Sequence, residues 1–298
     1  MRPEPSFDPR LMPFNGHVAH VSLRGRVEAG RFVEGLRMRI APALIDLNLE
    51  PKGPRARQLL MGQAFVMLEL RGDHAFGQAE HDGHVGWLPM AALDDWADPT
   101  HRVGAPATHL YTAPDLKAPE AASLSLGARL TIKASDKAKS RQAGKTALGG
   151  GAAVPFLATD CGHFVPAQHV LPLHQPAQDP VAVAESLLGT PYLWGGNSRW
   201  GIDCSGLVQA GCLACAIPCP PDSDLQQALG QPLVQEAPLK RGDLVFWKGH
   251  VGWMLDGARL LHANAHHMAV AIEPLAEARA RIKAAGGGDI IAWRRLDR

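Results

Sequence analysis

Residues 37–174 alternate between apolar and polar positions in short runs, for example at 64–68 and 129–133. Gly, Pro and Asp residues separate these runs from one another. Successive side chains of a strand point to opposite faces, so the pattern predicts the short strands of small β-barrels.

The same region repeats itself weakly. Ala41-Pro42-Ala43 returns as Ala105-Pro106-Ala107, and Gly83-His84-Val85-Gly86-Trp87 returns loosely as Gly162-His163-Phe164-Val165. We therefore predict two tandem all-β modules, at 37–98 and 99–174, after an N-terminal extension of residues 1–36. The second module carries an insertion, which we place at 135–151.

The pattern changes after residue 174, where helical segments come first and strand-like runs follow. Asp179-Pro180 is a helix start, because Asp caps unpaired N–H groups and Pro suits the first helical position. This order predicts an α+β domain over 180–298. The predicted helices are 181–188, 204–216 and 276–285, and the predicted strands are 243–247, 251–255, 259–263, 268–272 and 290–294.

Composition narrows the classes of partner. The 298 residues include 30 Lys plus Arg against 29 Asp plus Glu, so the chain lacks the basic excess of a nucleic-acid-binding protein. It has no apolar stretch of membrane-spanning length, and its start lacks the apolar core of a signal peptide. We therefore expect a cytoplasmic monomer that binds a small molecule and neither nucleic acid nor membrane.

Cys204 stands out among the five cysteines because the Gly-rich segment 195–201 precedes it and an apolar helix follows it. At the first turn of a helix, unpaired N–H groups and the helix dipole favour a thiolate. We expect Cys204 to be exposed there. A buried structural cysteine is the alternative interpretation.

A nucleophilic thiolate needs a base, and two strands supply histidines for that role. His250 opens one predicted strand and His262 ends the next, so neighbouring strands bring a base and an orienting group together. Asn264 and His266 lie on the same side of the strand as His262, and either could replace it.

Cysteine spacing also suggests a metal site, formed by Cys212, Cys215 and Cys219 with nearby histidines. Apolar residues flank these cysteines, and no turn glycines separate them as in a zinc knuckle. Core packing is therefore the preferred interpretation, and we expect no metal.

Residues 180–296 resemble the NlpC/P60 family of papain-like cysteine peptidases. Five motifs occur in the family's order: Tyr192-Leu193-Trp194-Gly195-Gly196, Asp203-Cys204-Ser205-Gly206, Arg241-Gly242-Asp243, Gly249-His250-Val251-Gly252 and Leu261-His262-Ala263. The Gly83-His84-Val85-Gly86-Trp87 strand of the first module, with its loose counterpart in the second, is similar to that of bacterial SH3-like (SH3b) domains. The implied fold is an α+β papain-like domain preceded by two small SH3-like barrels.

The resemblance implies a role for individual residues and requires no cofactor. Cys204 would be the nucleophile, His250 the base and His262 the group that orients the base. Tyr192 would supply a hydroxyl near the oxyanion, Asp203 would face the substrate amine, and Ser205 and Ser223 would line the pocket.

Two SH3b modules before such a domain resemble γ-D-glutamyl-L-diamino acid endopeptidases. In that subgroup an acidic residue of the first module contacts the substrate amino terminus, and Glu50, on what we take to be a long loop, is our candidate. The substrate would be a small peptide derived from peptidoglycan, with an unblocked N-terminal L-Ala. Three alternatives remain: a hydrolase that remodels the intact wall, a non-catalytic SH3b wall-peptide binder, and an acyltransferase with the same nucleophile chemistry.

Overall fold

A computed structural model describes residues 8–133, 154–234 and 237–296. The insertion that we predicted at 135–151 lies outside these residues. The chain forms two compact units, the first made of Met1–Leu124 with Ala128–Leu173 and the second of Ser125–Gly127 with His174–Arg298.

In its described residues the first unit consists of β-strands and single turns of 3-10 helix. Its strands are β1 (Val18–His20), β2 (Arg31–Val33), β3 (Leu36–Ile40), β4 (Leu44–Asn48), β5 (Arg55–Leu60), β6 (Ala64–Arg71), β7 (His74–Ala79), β8 (Val85–Pro89), β9 (Leu93–Asp95), β10 (His101–Val103), β11 (Ala107–Tyr111), β12 (Glu120–Ser125), β13 (Arg129–Leu130), β14 (Phe156–Ala158), β15 (Phe164–Pro166) and β16 (Val170–Pro172).

Strands β3 to β9 form one seven-stranded sheet in the order β5-β4-β8-β7-β6-β3-β9. Alternate residues of these strands, including Leu47, Leu59 and Phe65, meet in a common core. Val18, in the predicted N-terminal extension, is buried in a cluster with Phe76 and Trp87 of this sheet. Strands β10 to β16 form two further sheets, in the orders β13-β10-β16 and β12-β11-β15-β14.

The predicted repeat is visible in the chain path. Strand β8 ends at Pro89, a 3-10 turn covers Met90–Ala92, and β9 follows. Strand β15 ends at Pro166, a 3-10 turn covers Ala167–His169, and β16 follows. The two halves of this unit therefore share a local architecture, while the domain bounds 37–98 and 99–174 stay a prediction.

The second unit is an α+β domain. Its helices are α1 (Pro180–Glu185), α2 (Cys204–Ala214) and α3 (Leu275–Ala284), and its strands are β17 (Asn197–Ser198), β18 (Gly201–Ile202), β19 (Gln231–Pro232), β20 (Asp243–Trp247), β21 (His250–Met254), β22 (Arg259–Asn264), β23 (Ala269–Pro274) and β24 (Ala292–Arg295). Six strands form a sheet in the order β19-β24-β20-β21-β22-β23.

Helix α2 packs against α1 on one side and against β21 and β22 on the other. Its apolar residues Leu207 and Val208 share a buried cluster with Trp253 and Leu261 of those strands. The helix ends where Ala216 adopts a left-handed conformation with φ of 58°, two residues before Pro218. Packing of this helix on the sheet sets the position of the candidate site.

Candidate active site

Cys204 is the first residue of α2, and Asp203 caps the helix. One Asp203 carboxylate oxygen, Oδ1, accepts a hydrogen bond from the Gly206 amide at 2.6 Å. The expectation that Cys204 is exposed is wrong, because the residue is only 7% exposed and belongs to the cluster between α2 and the sheet. Val251 and Ala263, which follow His250 and His262 in the chain, belong to the same cluster.

The Asp203 carboxylate also organises the segment that precedes it. Its Oδ2 accepts from the Gly195 amide at 2.9 Å, and its Oδ1 accepts from the Ser205 hydroxyl at 2.9 Å. Gly206 allows the glycine turn to approach α2 closely, since a Cβ there would lie 2.6 Å from the Gly196 carbonyl oxygen. Asp203 therefore joins the Gly195 turn to the start of the helix. Its predicted contact with a substrate amine stays a prediction.

The two candidate histidines are hydrogen-bonded to each other. His250 is the first residue of β21, His262 lies in β22, and His250 Nε2 is 2.7 Å from His262 Nδ1. Asn264, one alternative to His262, instead accepts a hydrogen bond from the His267 amide at 2.9 Å, and His266 lies in the turn after β22. The geometry therefore pairs His250 with His262.

His262 has a second partner that our sequence analysis missed. Its Nε2 lies 2.6 Å from Oε1 of Glu273, and Arg281 of α3 donates two hydrogen bonds to the Glu273 carboxylate, at 2.5 and 2.6 Å. The four side chains form a continuous row from the start of β21 to α3.

Burial determines the protonation of this row. Burial and the neighbouring His262 lower the pKa of His250 to about 3, and burial also lowers the pKa of His262. Although burial opposes it, hydrogen bonds from Arg281 and His262 hold the pKa of Glu273 well below its usual range. Both histidines are therefore neutral and Glu273 is ionised at neutral pH.

Tyr192 packs against the buried cluster that contains Cys204. Its backbone amide donates to the Met268 carbonyl at 2.9 Å, and the residue forms a bridge with Ile202. Burial, followed by the negative charges of Cys204 and Asp203, raises the pKa of Tyr192. The hydroxyl therefore keeps its proton and can donate a hydrogen bond.

The two predicted pocket serines occupy different environments. Ser205 is buried and donates to Asp203, as described above. Ser223 is also buried and lies just before the 3-10 turn Leu225–Ala228. Gln226 of that turn donates to the Ser205 carbonyl at 3.0 Å, which ties the segment around Ser223 to the start of α2.

Glu50 belongs to the first unit, on the connection between β4 and β5. The connection is a short hairpin loop, in which the Leu49 amide donates to Pro54 and the Gly53 amide donates to Glu50. Our expectation of a long loop is therefore wrong. The side chain of Glu50 is exposed.

The other cysteines have no site-like arrangement. All five cysteines lie in the described ranges, and none is in a disulfide. Cys212 is buried, and a hydrogen bond with Cys219 together with burial raises the pKa of its thiol. Within the described residues, no group of three or more His, Cys, Asp and Glu is placed to hold a metal ion. No helix there is long and apolar enough to cross a bilayer.

Known proteins with this architecture define its class. Residues 189–284 match the NlpC/P60 family, and residues 49–93 match the bacterial dipeptidyl-peptidase Sh3 domain. The crystal structure of an NlpC/P60 family protein from Bacillus cereus superposes with a TM-score of 0.68 at 20% identity, covering 87% of this chain and 99% of that one. The fold is thus that of an NlpC/P60 peptidase.

Curated relatives agree with this class. A gamma-D-glutamyl-L-lysine dipeptidyl-peptidase of Bacillus cereus is 29% identical over 73% of this chain and 70% of its own length. A protein of the same name from Bacillus subtilis is 33% identical over 38% of this chain and 42% of its own length. The chain carries an NlpC/P60 peptidase domain preceded by an SH3 domain of the bacterial dipeptidyl-peptidase type.

Proposed function

We propose that this protein is a cysteine peptidase that hydrolyses the bond between γ-D-Glu and the diamino acid of small murein peptides. The observation that carries the proposal is the His250–His262 pair, which lies on the two strands against which the Cys204 helix packs. The names of the curated relatives support the choice of bond.

The reaction would proceed through an acyl-enzyme. His250 takes the proton of the Cys204 thiol, the thiolate attacks the γ-carbonyl carbon of D-Glu, and the resulting oxyanion is stabilised by the Cys204 amide and the Tyr192 hydroxyl. His250 gives a proton to the amine of the diamino acid as the C–N bond breaks. Water then attacks the thioester with His250 as base, which releases the L-Ala-D-Glu acid and restores the thiol.

His250 uses its Nε2 toward His262, so its Nδ1 is the nitrogen that would serve Cys204. Tyr192 fits its proposed role because its pKa is raised and the hydroxyl remains a donor. The amides at the start of α2 would donate to the negative charge that develops on the γ-carbonyl oxygen of D-Glu, as at other helix N-termini.

We further propose that the substrate has an unblocked amino terminus. A charged ammonium that leaves water needs an opposite charge and hydrogen bonds. Asp203 already accepts three hydrogen bonds from Gly195, Ser205 and Gly206, so an ionised carboxylate retains about one acceptor position for a ligand. Glu50 would supply the second negative charge.

With this bond and this free amino terminus in the substrate, the proposed role of the protein is peptidoglycan recycling in the cytoplasm. It would act there as a monomer that uses no cofactor. Thiols outside disulfides are typical of a reducing compartment, and all five cysteines are of this kind.

The test compares three substrates by mass spectrometry: free L-Ala-γ-D-Glu-diamino acid, its N-acetylated form and whole sacculi. Loss of a desolvated charge contact costs on the order of 2 to 5 kcal/mol, so acetylation should lower kcat/KM by at least about thirtyfold. Equal cleavage of free and acetylated peptides, or efficient release from sacculi, would instead identify a wall-remodelling hydrolase. Binding without cleavage would identify a wall-peptide binder.

A further inference from the structure

Glu273 is a buried carboxylate to which neither the sequence motifs nor the comparisons assign a role. It lies in β23, where Ala271 pairs with His262 and Leu260 pairs with Glu273. Glu273 is therefore the diagonal cross-strand neighbour of His262 on the same face of the sheet. It is only 7% exposed, and its two oxygens meet His262 and Arg281.

We propose that Glu273, held ionised by Arg281, is a positioning residue that sets the tautomers of His262 and His250 and thereby makes His250 Nδ1 the base toward Cys204. This inference rests on the proposed cysteine peptidase function and deepens it.

Arg281 and Glu273, at the outer end of the row, each have a single protonation state. A guanidinium does not give up its proton in proteins, and an ionised carboxylate only accepts hydrogen bonds. Arg281 donates to both oxygens of Glu273, so the ring nitrogen of His262 that faces Glu273 must be the donor. His262 therefore carries its proton on Nε2.

The inner end then follows from the chemistry of neutral imidazole, which has one donor and one acceptor. With a proton on Nε2, His262 presents Nδ1 as an acceptor, and His250 Nε2 must donate to it across 2.7 Å. The remaining nitrogen, His250 Nδ1, is then the acceptor that a base requires. Low pKa values of both histidines, caused mainly by burial, agree with two neutral rings.

A histidine in the orienting position has a requirement that a carboxylate there lacks. His262 could present either a donor or an acceptor at Nδ1, and the wrong choice would place a proton on His250 Nδ1, where it blocks proton transfer from the thiol. In serine peptidases, an amide in place of the orienting aspartate yields the wrong tautomer and lowers kcat by about 10⁴-fold. Glu273 removes this ambiguity, because it accepts a hydrogen bond from His262 Nε2 and so leaves His262 Nδ1 as an acceptor.

The experiment compares Glu273→Gln with a matched control, Asp243→Asn. Asp243 is another buried acid of the same sheet, and Arg295 donates to both its oxygens, each at 2.7 Å. Both variants lose one buried carboxylate–arginine pair, so both should lower the melting temperature. Only Glu273→Gln should lower kcat, by about 10²-fold or more, with KM within about threefold of wild type.

The tautomers are read directly by ¹⁵N NMR of histidine-labelled Cys204→Ala protein, in which no thiolate acts on His250. Variants His250→Gln and His262→Gln assign the two rings among the 14 histidines. Both rings should carry the proton on Nε2, and adding Glu273→Gln should move protons to Nδ1. Arg281→Gln should do so in part.

The outcomes separate this inference from the proposed function. Unchanged tautomers and an unchanged kcat in Glu273→Gln would show a purely structural pair and overturn the inference, while peptide cleavage by the wild type would stand. A tautomer change caused by Glu273→Gln, together with a wild type that cleaves none of the peptides, would leave the inference standing and reject the function. If Glu273→Gln does not fold, a proton on Nδ1 of His262 in the Cys204→Ala protein overturns the inference, and one on Nε2 supports it.

Discussion

The carboxylate of Asp203 accepts a hydrogen bond from the Gly195 amide at 2.9 Å. Its other oxygen caps α2 through Gly206, so one side chain holds both the glycine turn and the helix that starts with Cys204. The residue next to the candidate nucleophile thus positions the backbone on which the oxyanion would depend.

Asp203→Asn should therefore lower activity more than stability. An amide supplies one oxygen where two are used, so either the helix cap or the Gly195 bond is lost, at a cost of about 1 kcal/mol. We expect kcat to fall at least about tenfold, because a displaced oxyanion donor weakens transition-state stabilisation.

The matched control is Asp179→Asn. Asp179 caps α1 through Val181, and its other oxygen accepts from Arg241. Thermal unfolding should show a similar loss of stability in both variants. If kinetic assays showed the same kcat in both, Asp203 would be a helix cap and nothing more.

Cys204→Ala should abolish turnover. Because Cys204 is buried, the substitution should also cost about 1 kcal/mol of stability, measured by urea unfolding. Cys212→Ala is the control that should keep its activity.

Alkylation gives an independent measure of the nucleophile. Cys161 is exposed and would react with iodoacetamide, so labelling is followed in a Cys161→Ser background. Peptide mapping should find Cys204 labelled before Cys212, whose thiol pKa is raised. Labelling in the opposite order, or turnover by Cys204→Ala, would contradict the assignment.

Acid should destabilise the second unit through His250. Its pKa is lowered to about 3 in the folded state, so below its ordinary value of about 6.5 the unfolded chain takes up the proton first. Stability contributed by the neutral ring is complete above about pH 6.5 and is lost as pH falls below that value, with a slope that approaches about 1.4 kcal/mol per pH unit.

Urea unfolding of Cys204→Ala protein between pH 7 and about 5.5 measures this slope without a thiolate and above the range where most carboxylates titrate. The double variant with His250→Gln should show a smaller slope. Equal slopes would mean that His250 is not held neutral by the fold.

Glu50→Gln should affect only substrates that carry a free amine. We expect kcat/KM for the free tripeptide to fall about tenfold or more and the value for the acetylated tripeptide to change little. Because Glu50 is exposed, the melting temperature should stay the same. Glu120, an exposed acid elsewhere in the first unit, provides the control Glu120→Gln, and an equal effect on both tripeptides would remove Glu50 from amine recognition.

Local signals in the sequence determined most of the elements of the second unit. Asp179-Pro180 predicted the start of α1, and the apolar run 243–247 predicted β20 with its observed ends. These signals depend on capping and alternation, which involve residues close in the chain. The predicted end of α1 was wrong: the helix stops at Glu185 and turns continue to Gly189, where 181–188 was predicted.

The members of the candidate site were also visible in the sequence, because Cys204, His250 and His262 lie at ends or edges of predicted elements. Their arrangement was not. The sequence left Asn264 and His266 as alternatives, and the register of β21, β22 and β23 paired His262 with His250 on one side and with Glu273 on the other.

Glu273 escaped notice because the predicted strand ended at residue 272 and nothing local links a glutamate to a histidine eleven positions earlier. Only the turn between β22 and β23 determines which residues become diagonal neighbours, and a shift of one position would place Glu273 on the opposite face. The burial of Cys204 likewise depends on how α2 packs against the sheet. Composition and local pattern specified which elements form, whereas strand register and helix packing, which depend on contacts between residues distant in the chain, decided which side chains meet.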